Sequence, residues 1–209
     1  MGTAPAGAKH RGATLVLLDT NAYLRLAKRI RPLLGVPFGQ KPYLLTVLQD
    51  VEDEVHASRR LRFHFPWFDG DAELAKERLA RRMKLSRAEN EDLEAAAHFL
   101  HDWVLQDVAR FTSHGRSPPG ATDCRVLAFG QVRPAIVVTD DLGMHELARE
   151  FGIATWHGFE LLAKLRTAKV ASDDLVRELY AALEANGDLT AAWRDARHTV
   201  FAKVFGRKL

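Results

Sequence analysis

The chain has 209 residues, of which 47% are hydrophobic, 9% aromatic and 27% charged, with a net charge of +3 and one cysteine, Cys124. Those figures exclude global disorder and a disulfide framework, and no apolar run approaches the ~20 residues of a membrane span. One compact domain with an appended helical piece fits the length, and a cytoplasmic location is expected.

Residues 1–12 are small and polar, with no apolar signal core, and read as a flexible tail. Residues 14–18 (Thr-Leu-Val-Leu-Leu) form the short apolar run of a buried parallel strand, which stops at Asp19-Thr20-Asn21 before a helix. Pro32, Gly35, Pro37 and Gly39 punctuate a loop. Residues 43–46 predict a second strand, followed by a helix with Val47, Val51 and Val55 on one face.

Residues 71–82 and 86–111 have helical patterns. The second opens on a Ser86/Glu89 capping box and is expected to bury Phe99, Trp103, Val104 and Val108. A Gly/Pro-rich break at 113–121 precedes a helix from about Asp123. A third strand at 135–139 ends in Asp140-Asp141. A helix capped by Gly152 and a fourth strand at 153–156 follow. Alternating strands and helices predict right-handed crossovers and a parallel α/β sheet. Residues 172–186 and 188–205 read as two amphipathic helices, with Trp193, Phe201 and Phe205 free to pack on the domain, on a second copy or on a partner. Residues 56–87 carry nine Lys/Arg against four Asp/Glu, among them Arg59, Arg60, Arg62, Arg78, Arg81, Arg82 and Lys84. Such a surface suits a polyanion.

Ligands in an open parallel sheet sit at the carboxyl edge of the strands. Two strands end there in acids, at Asp19 and at Asp140-Asp141. Asp123 and one member of the group Asp50, Glu52, Asp53 and Glu54 fall beside that edge. Each has a plain structural reading, as a helix cap or a solvated helix face. Capping explains the residue types but not their gathering. Carboxylates aimed at one point repel unless a hard divalent cation, Mg²⁺ or Mn²⁺, is held among them. Such an ion supports phosphodiester hydrolysis.

The segments LVLLDTNAYLRLA, DVEDEV, ATDCRVLAFG and AIVVTDDLGMHELAREFGI resemble, in order, the four acidic signatures of the PIN-domain ribonuclease family, over residues 14–165. The resemblance implies a PIN-like three-layer α/β/α fold with a parallel central sheet over 13–165, a helical insertion at about 60–118, and C-terminal helices over 166–209. It implies Asp19, Glu54, Asp123 and Asp141 as catalytic and metal-binding acids, with Asp140 beside them and Glu52 in reserve for Glu54. Thr20, Asn21 and Thr139 would support them, and Arg59, Arg60 and Arg62 would contact RNA phosphates. The activity implied is metal-dependent cleavage of single-stranded RNA to a 5′-phosphate and a 3′-hydroxyl, in a toxin of the toxin–antitoxin type silenced by an antitoxin protein. A housekeeping RNA-processing nuclease and a non-catalytic binding module are the alternatives. A receiver domain would need an acidic pair at the first strand, and a haloacid-dehalogenase-type phosphatase would need Asp-x-Asp where Asp19-Thr20-Asn21 stands.

Overall fold

The computed structural model describes residues 12–112 and 117–206. The expected tail, apart from Gly12, and part of the 113–121 break lie outside them. Strand β1 (Thr14–Leu18) runs through Asp19 into helix α1 (Thr20–Leu26). A two-residue strand β2 (Pro37–Phe38) and strand β3 (Tyr43–Thr46) follow, and then helix α2 (Asp50–Ala57). A helical stretch comes next: α3 (Arg59–His64), α4 (Trp67–Gly70), α5 (Ala72–Arg81), α6 (Arg87–Gln106) and α7 (Val108–Phe111). Helix α8 (Ala121–Val132), strand β4 (Ala135–Val138), helix α9 (Leu142–Glu150) and strand β5 (Thr155–Trp156) complete the sheet. Helices α10 (Gly158–Thr167), α11 (Asp173–Ala185), α12 (Ala191–His198) and α13 (Ala202–Phe205) close the chain.

The five strands are ordered β2-β3-β1-β4-β5, and β1 pairs parallel with both β3 and β4. The sheet is mixed, not purely parallel, because β2 pairs antiparallel with β3. The glycines that read as loop punctuation make this hairpin: Gly35 and Gly39 take φ of +73° and +82° and bracket Pro37-Phe38. Proline is tolerated on an edge strand, where no ladder donor is needed. Phe38 is buried against Tyr43, with ring centroids 5.6 Å apart.

Alternation along β1 sends Val16 and Leu18 to one core and Leu17 to the other. The first core gathers α1, α2, Phe68 of α4, Leu74 of α5, α10 and the C-terminal helices. The second is built by α6, α8, α9 and Phe111 of α7. Helices therefore cover both faces of the α/β sheet. Trp193 and Phe201 are buried in the first core and Phe205 packs against it. Of the surfaces open to them in the sequence, the domain itself takes them.

Three sequence expectations need correction. The buried stripe of α6 is Leu93, Ala97, Leu100 and Val104, whereas Phe99 is 53% and Val108 41% exposed. The 4-3-4 spacing of that stripe keeps one helix face inward, and Phe99 lies about 100° from Leu100 around the axis. The expected helix over 188–205 is two helices. The chain breaks at Thr199-Val200 so that Phe201 turns into the core, its N–H donating to the Ala196 carbonyl at 2.9 Å. Arg78, read as part of a basic surface, is 2% exposed. Its guanidinium lies over the Phe68 ring at 3.6 Å and donates to the Phe68 carbonyl at 2.7 Å and to Glu52 at 3.3 Å.

Candidate active site

Strand order reverses at β1: the chain passes to β3 on one side and returns to β4 on the other. The carboxyl ends of β1 and β4 therefore form the topological switch point, where open α/β sheets bind ligands. Asp19 leaves β1 there, and Thr139-Asp140-Asp141 leaves β4. Helix α2 follows β3 and brings in Glu54, while Asp123 lies in the first turn of α8.

Three of these acids do cap helices. Asp19 Oδ1 accepts from the Ala22 N–H at 2.6 Å, Asp141 Oδ1 from the Met144 N–H at 2.9 Å, and Asp123 Oδ2 from the Gly120 N–H at 2.9 Å. Glu54 Oε2 accepts from the Thr20 hydroxyl at 2.6 Å, which ties the α2 acid to the end of β1. Capping thus occupies one oxygen of each Asp and leaves the second for another partner. Thr139 links the remaining pieces. Its Oγ1 accepts from the Asp141 N–H at 3.1 Å and lies against both Met144 Sδ, at 3.2 Å, and the Asp19 carboxylate. A carboxylate is the better acceptor, so the hydroxyl proton belongs on Asp19.

The electrostatics set these acids apart. Burial pushes the Asp19 carboxyl up to about 7 against the opposing hydrogen bonds from Thr139 and Ala22, with the charge of Asp140 adding to the rise. Burial likewise raises Asp123 to about 6, helped by the charges of Glu54 and Asp141. Asp19, Glu54, Asp123 and Asp141 form no ion pair among the described residues, although acids beside them in sequence do. Asp140 Oδ2 meets Arg25 at 2.5 Å and the Trp193 indole N–H at 2.8 Å, and its Oδ1 accepts from the Gly158 N–H at 3.0 Å. Burial works to raise Asp140, but His157, Arg25 and Trp193 outweigh it and hold the carboxyl below its ordinary range. Glu52 pairs with Arg78 at 3.3 Å and with Arg82 at 2.8 Å, and Asp50 pairs with Arg125 at 2.7 Å.

The structure therefore separates residues that the sequence left together. Asp140 is paired with a basic side chain and Asp141 is not; Glu52 is paired and Glu54 is not. Asn21 is exposed and lines a cleft of about 780 Å³ together with Glu54, Arg25, Arg60 and His64. Arg59 and Arg62 stand exposed on α3, outside that lining. His145 and His157, which lie near the edge, are turned to other work. The ring nitrogens of His145 meet the Thr139 carbonyl at 2.9 Å and the Thr155 hydroxyl at 3.0 Å, and His157 packs its ring on Phe159. Cys124 is buried and its thiol is pushed up to about 12 by burial and by Asp123, so it is inert.

Sequence reasoning missed Arg25, Trp193 and Gly158, the partners of Asp140. A Cβ on Gly158 would stand 2.8 Å from Asp140 Oδ2 and 2.9 Å from the Trp193 ring, so this contact requires glycine. No local signal announces a partner 53 or 115 residues away.

No family model, curated protein or solved structure matches the chain. The chemistry of the donors is then the test of whether a cation fits. Four carboxylates, none paired with a basic side chain and two with raised pKa, suit a hard divalent ion held through oxygen. Their placement is looser than a finished cage: among the described residues no three His, Cys, Asp or Glu side chains are grouped closely enough to hold an ion.

Proposed function

We propose that this chain is a metal-dependent endoribonuclease of the PIN-domain kind, acting on single-stranded RNA. One observation carries the reading. At the switch point of the sheet, four acids from β1, α2, α8 and the end of β4 stand without basic partners, while neighbouring acids are paired. Acids kept only for stability would gain from the same pairing. A Mg²⁺ or Mn²⁺ ion bound there would lower the pKa of water and offset charge on a phosphoryl oxygen.

The remaining roles belong to the chain. Asp19 and Asp141 are fixed by their caps. Thr20 holds Glu54, and Thr139 holds Asp19 while bracing the Asp141 backbone, so the constellation is oriented by hydrogen bonds from behind. Asp123, whose carboxyl burial raises to about 6 in the metal-free protein, is suited to take a proton from the attacking water. Water would attack phosphorus in line with the departing 3′-oxygen. The P–O3′ bond breaks and the departing 3′-oxygen takes a proton from solvent water, leaving a 5′-phosphate and a 3′-hydroxyl. Arg60, lining the cleft beside Glu54, is placed to steady a flanking phosphate.

A second reading, a binding module without catalysis, draws on the absence of a closed acid cage among the described residues. Cleavage of a labelled single-stranded RNA with Mn²⁺, with Mg²⁺ and with excess EDTA separates the two. Metal-dependent cutting is expected, with Asp123→Asn slower by at least ~10²-fold and still folded by circular dichroism. A parent protein that binds RNA and cuts none under any condition favours the binding module. A variant that cuts as fast as the parent removes Asp123 from the mechanism.

A further inference from the structure

We infer that α3 is a stacking platform for an unpaired base, with Phe63 as the stacking face and Arg59 and Arg60 as its phosphate clamps. The inference rests on the reading of the site as acting on single-stranded RNA, and it names the surface that holds an unpaired base. Phe63 is 81% exposed, whereas the next most exposed large apolar side chain among the described residues, Leu79, is at 58%. Helix α3 is anchored from below by Leu61 and Phe65, which pack against the first core. Phe63 therefore points away from the protein on a helix that is itself held in place.

Its neighbours supply the rest of a nucleic-acid surface. At 100° per residue, Arg59 and Arg60 flank Phe63 by about 40° and 60° around the helix axis. Arg59, Arg60 and Arg62 are exposed, and among the described residues none of them is engaged in an ion pair. The His64 ring meets Phe63 edge-on, with centroids 5.5 Å apart. Arg60 and His64 line the cleft whose wall also holds Glu54 and Asn21, so a strand lying on α3 is led toward Glu54. A lone ring among guanidinium groups lacks the contiguous apolar centre of a protein interface. It does match a single strand, whose phosphates attract cations and whose bases stack on an aromatic face. A duplex keeps its bases stacked on each other and offers the ring no face.

The test measures binding in EDTA, where nothing is cut, using a short RNA that carries one 2-aminopurine. The parent should bind the single strand and change the probe's fluorescence on stacking. Phe63→Ala should weaken binding roughly tenfold and lose the signal, and Phe63→Trp should restore both. Arg60→Gln should lower the slope of log K against log salt by about 0.7, whereas Phe63→Ala should leave that slope unchanged. A duplex of the same sequence should be indifferent to Phe63→Ala. Binding by Phe63→Ala within about twofold of the parent, or a duplex with equal sensitivity, overturns the inference. So does a parent that binds no single strand. Parent RNA cleavage alongside a silent Phe63→Ala leaves the nuclease and removes the platform. Stacking without cleavage leaves the platform and removes the nuclease.

Discussion

Asp140 and Asp141 are adjacent in the chain and opposite in circumstance, as are Glu52 and Glu54 two residues apart on α2. The buried flank of the sheet edge matches each acid to a cation: Asp140 to Arg25, and Glu52 to Arg78 and Arg82. Asp19, itself buried, and the half-buried Glu54, Asp123 and Asp141 have hydrogen-bond donors but no ion pair among the described residues. An acid's role in this fold is therefore set by which side of its element it leaves from, and residue type says little. The paired flank holds the fold, and the unpaired acids store repulsion that a ligand could relieve.

The largest break in that comparison comes from the paired flank. Asp140→Ala strands the half-buried Arg25 guanidinium, the Trp193 indole N–H and the Gly158 N–H together. Removing one partner of a buried pair costs about 3–5 kcal/mol, which a urea melt would register as a clear fall in midpoint. A melt unchanged by Asp140→Ala would erase the distinction between the two regions.

A smaller effect, of opposite sign, is expected at Asp19. Its folded carboxyl is raised to about 7 from an ordinary 3.8, so its stabilising contribution is complete below about pH 4 and is lost as pH rises through 7. Protein in EDTA should therefore lose stability between pH 4 and pH 7. Asp19→Asn keeps a capping side chain and should flatten that decline, ending more stable than the parent at pH 8 by on the order of 2–4 kcal/mol. Melting curves across that range decide it, and a parallel decline in parent and variant would count against Asp19 as the buried charge.

The finest discrimination is on α2. Glu52→Gln weakens the ion pair to a buried arginine and should cost about 1–2 kcal/mol. Glu54→Gln keeps an acceptor for Thr20 and should fall within about 0.5 kcal/mol of the parent. Equal costs in a thermal melt would mean that the two glutamates are not divided as the geometry divides them.

Much of the frame was readable before any coordinates. The apolar runs at 14–18, 43–46 and 135–138 are strands, Asp19 and Asp141 cap the helices that follow, and the Ser86/Glu89 box opens α6. These signals are local, carried by a few adjacent residues whose spacing mirrors the backbone repeat. The hairpin strand β2 was hidden because two residues show no periodicity. Of the inward stripe of α6 only Val104 was legible, because Phe99 and Trp103 outweigh Leu93 and Leu100 in bulk, while the fold selects by angle. The burial of Arg78 and the clasp on Asp140 were not legible, since each joins segments tens of residues apart. For the site, the sequence supplied the acids and their shared edge, and the pairing that sorts them exists only in three dimensions.

The indole of Trp193 closes on a carboxylate from the end of β4, and that has a consequence for synthesis. A ribosome releases the chain from its first residue onward, so Asp19, Glu54, Asp123 and Asp141 emerge well before the clasp that fixes their neighbour Asp140. A nascent or truncated chain ending short of residue 193 holds all four unpaired acids and lacks the last fastening of the edge they share. Completion of the edge is thereby tied to the emergence of residue 193.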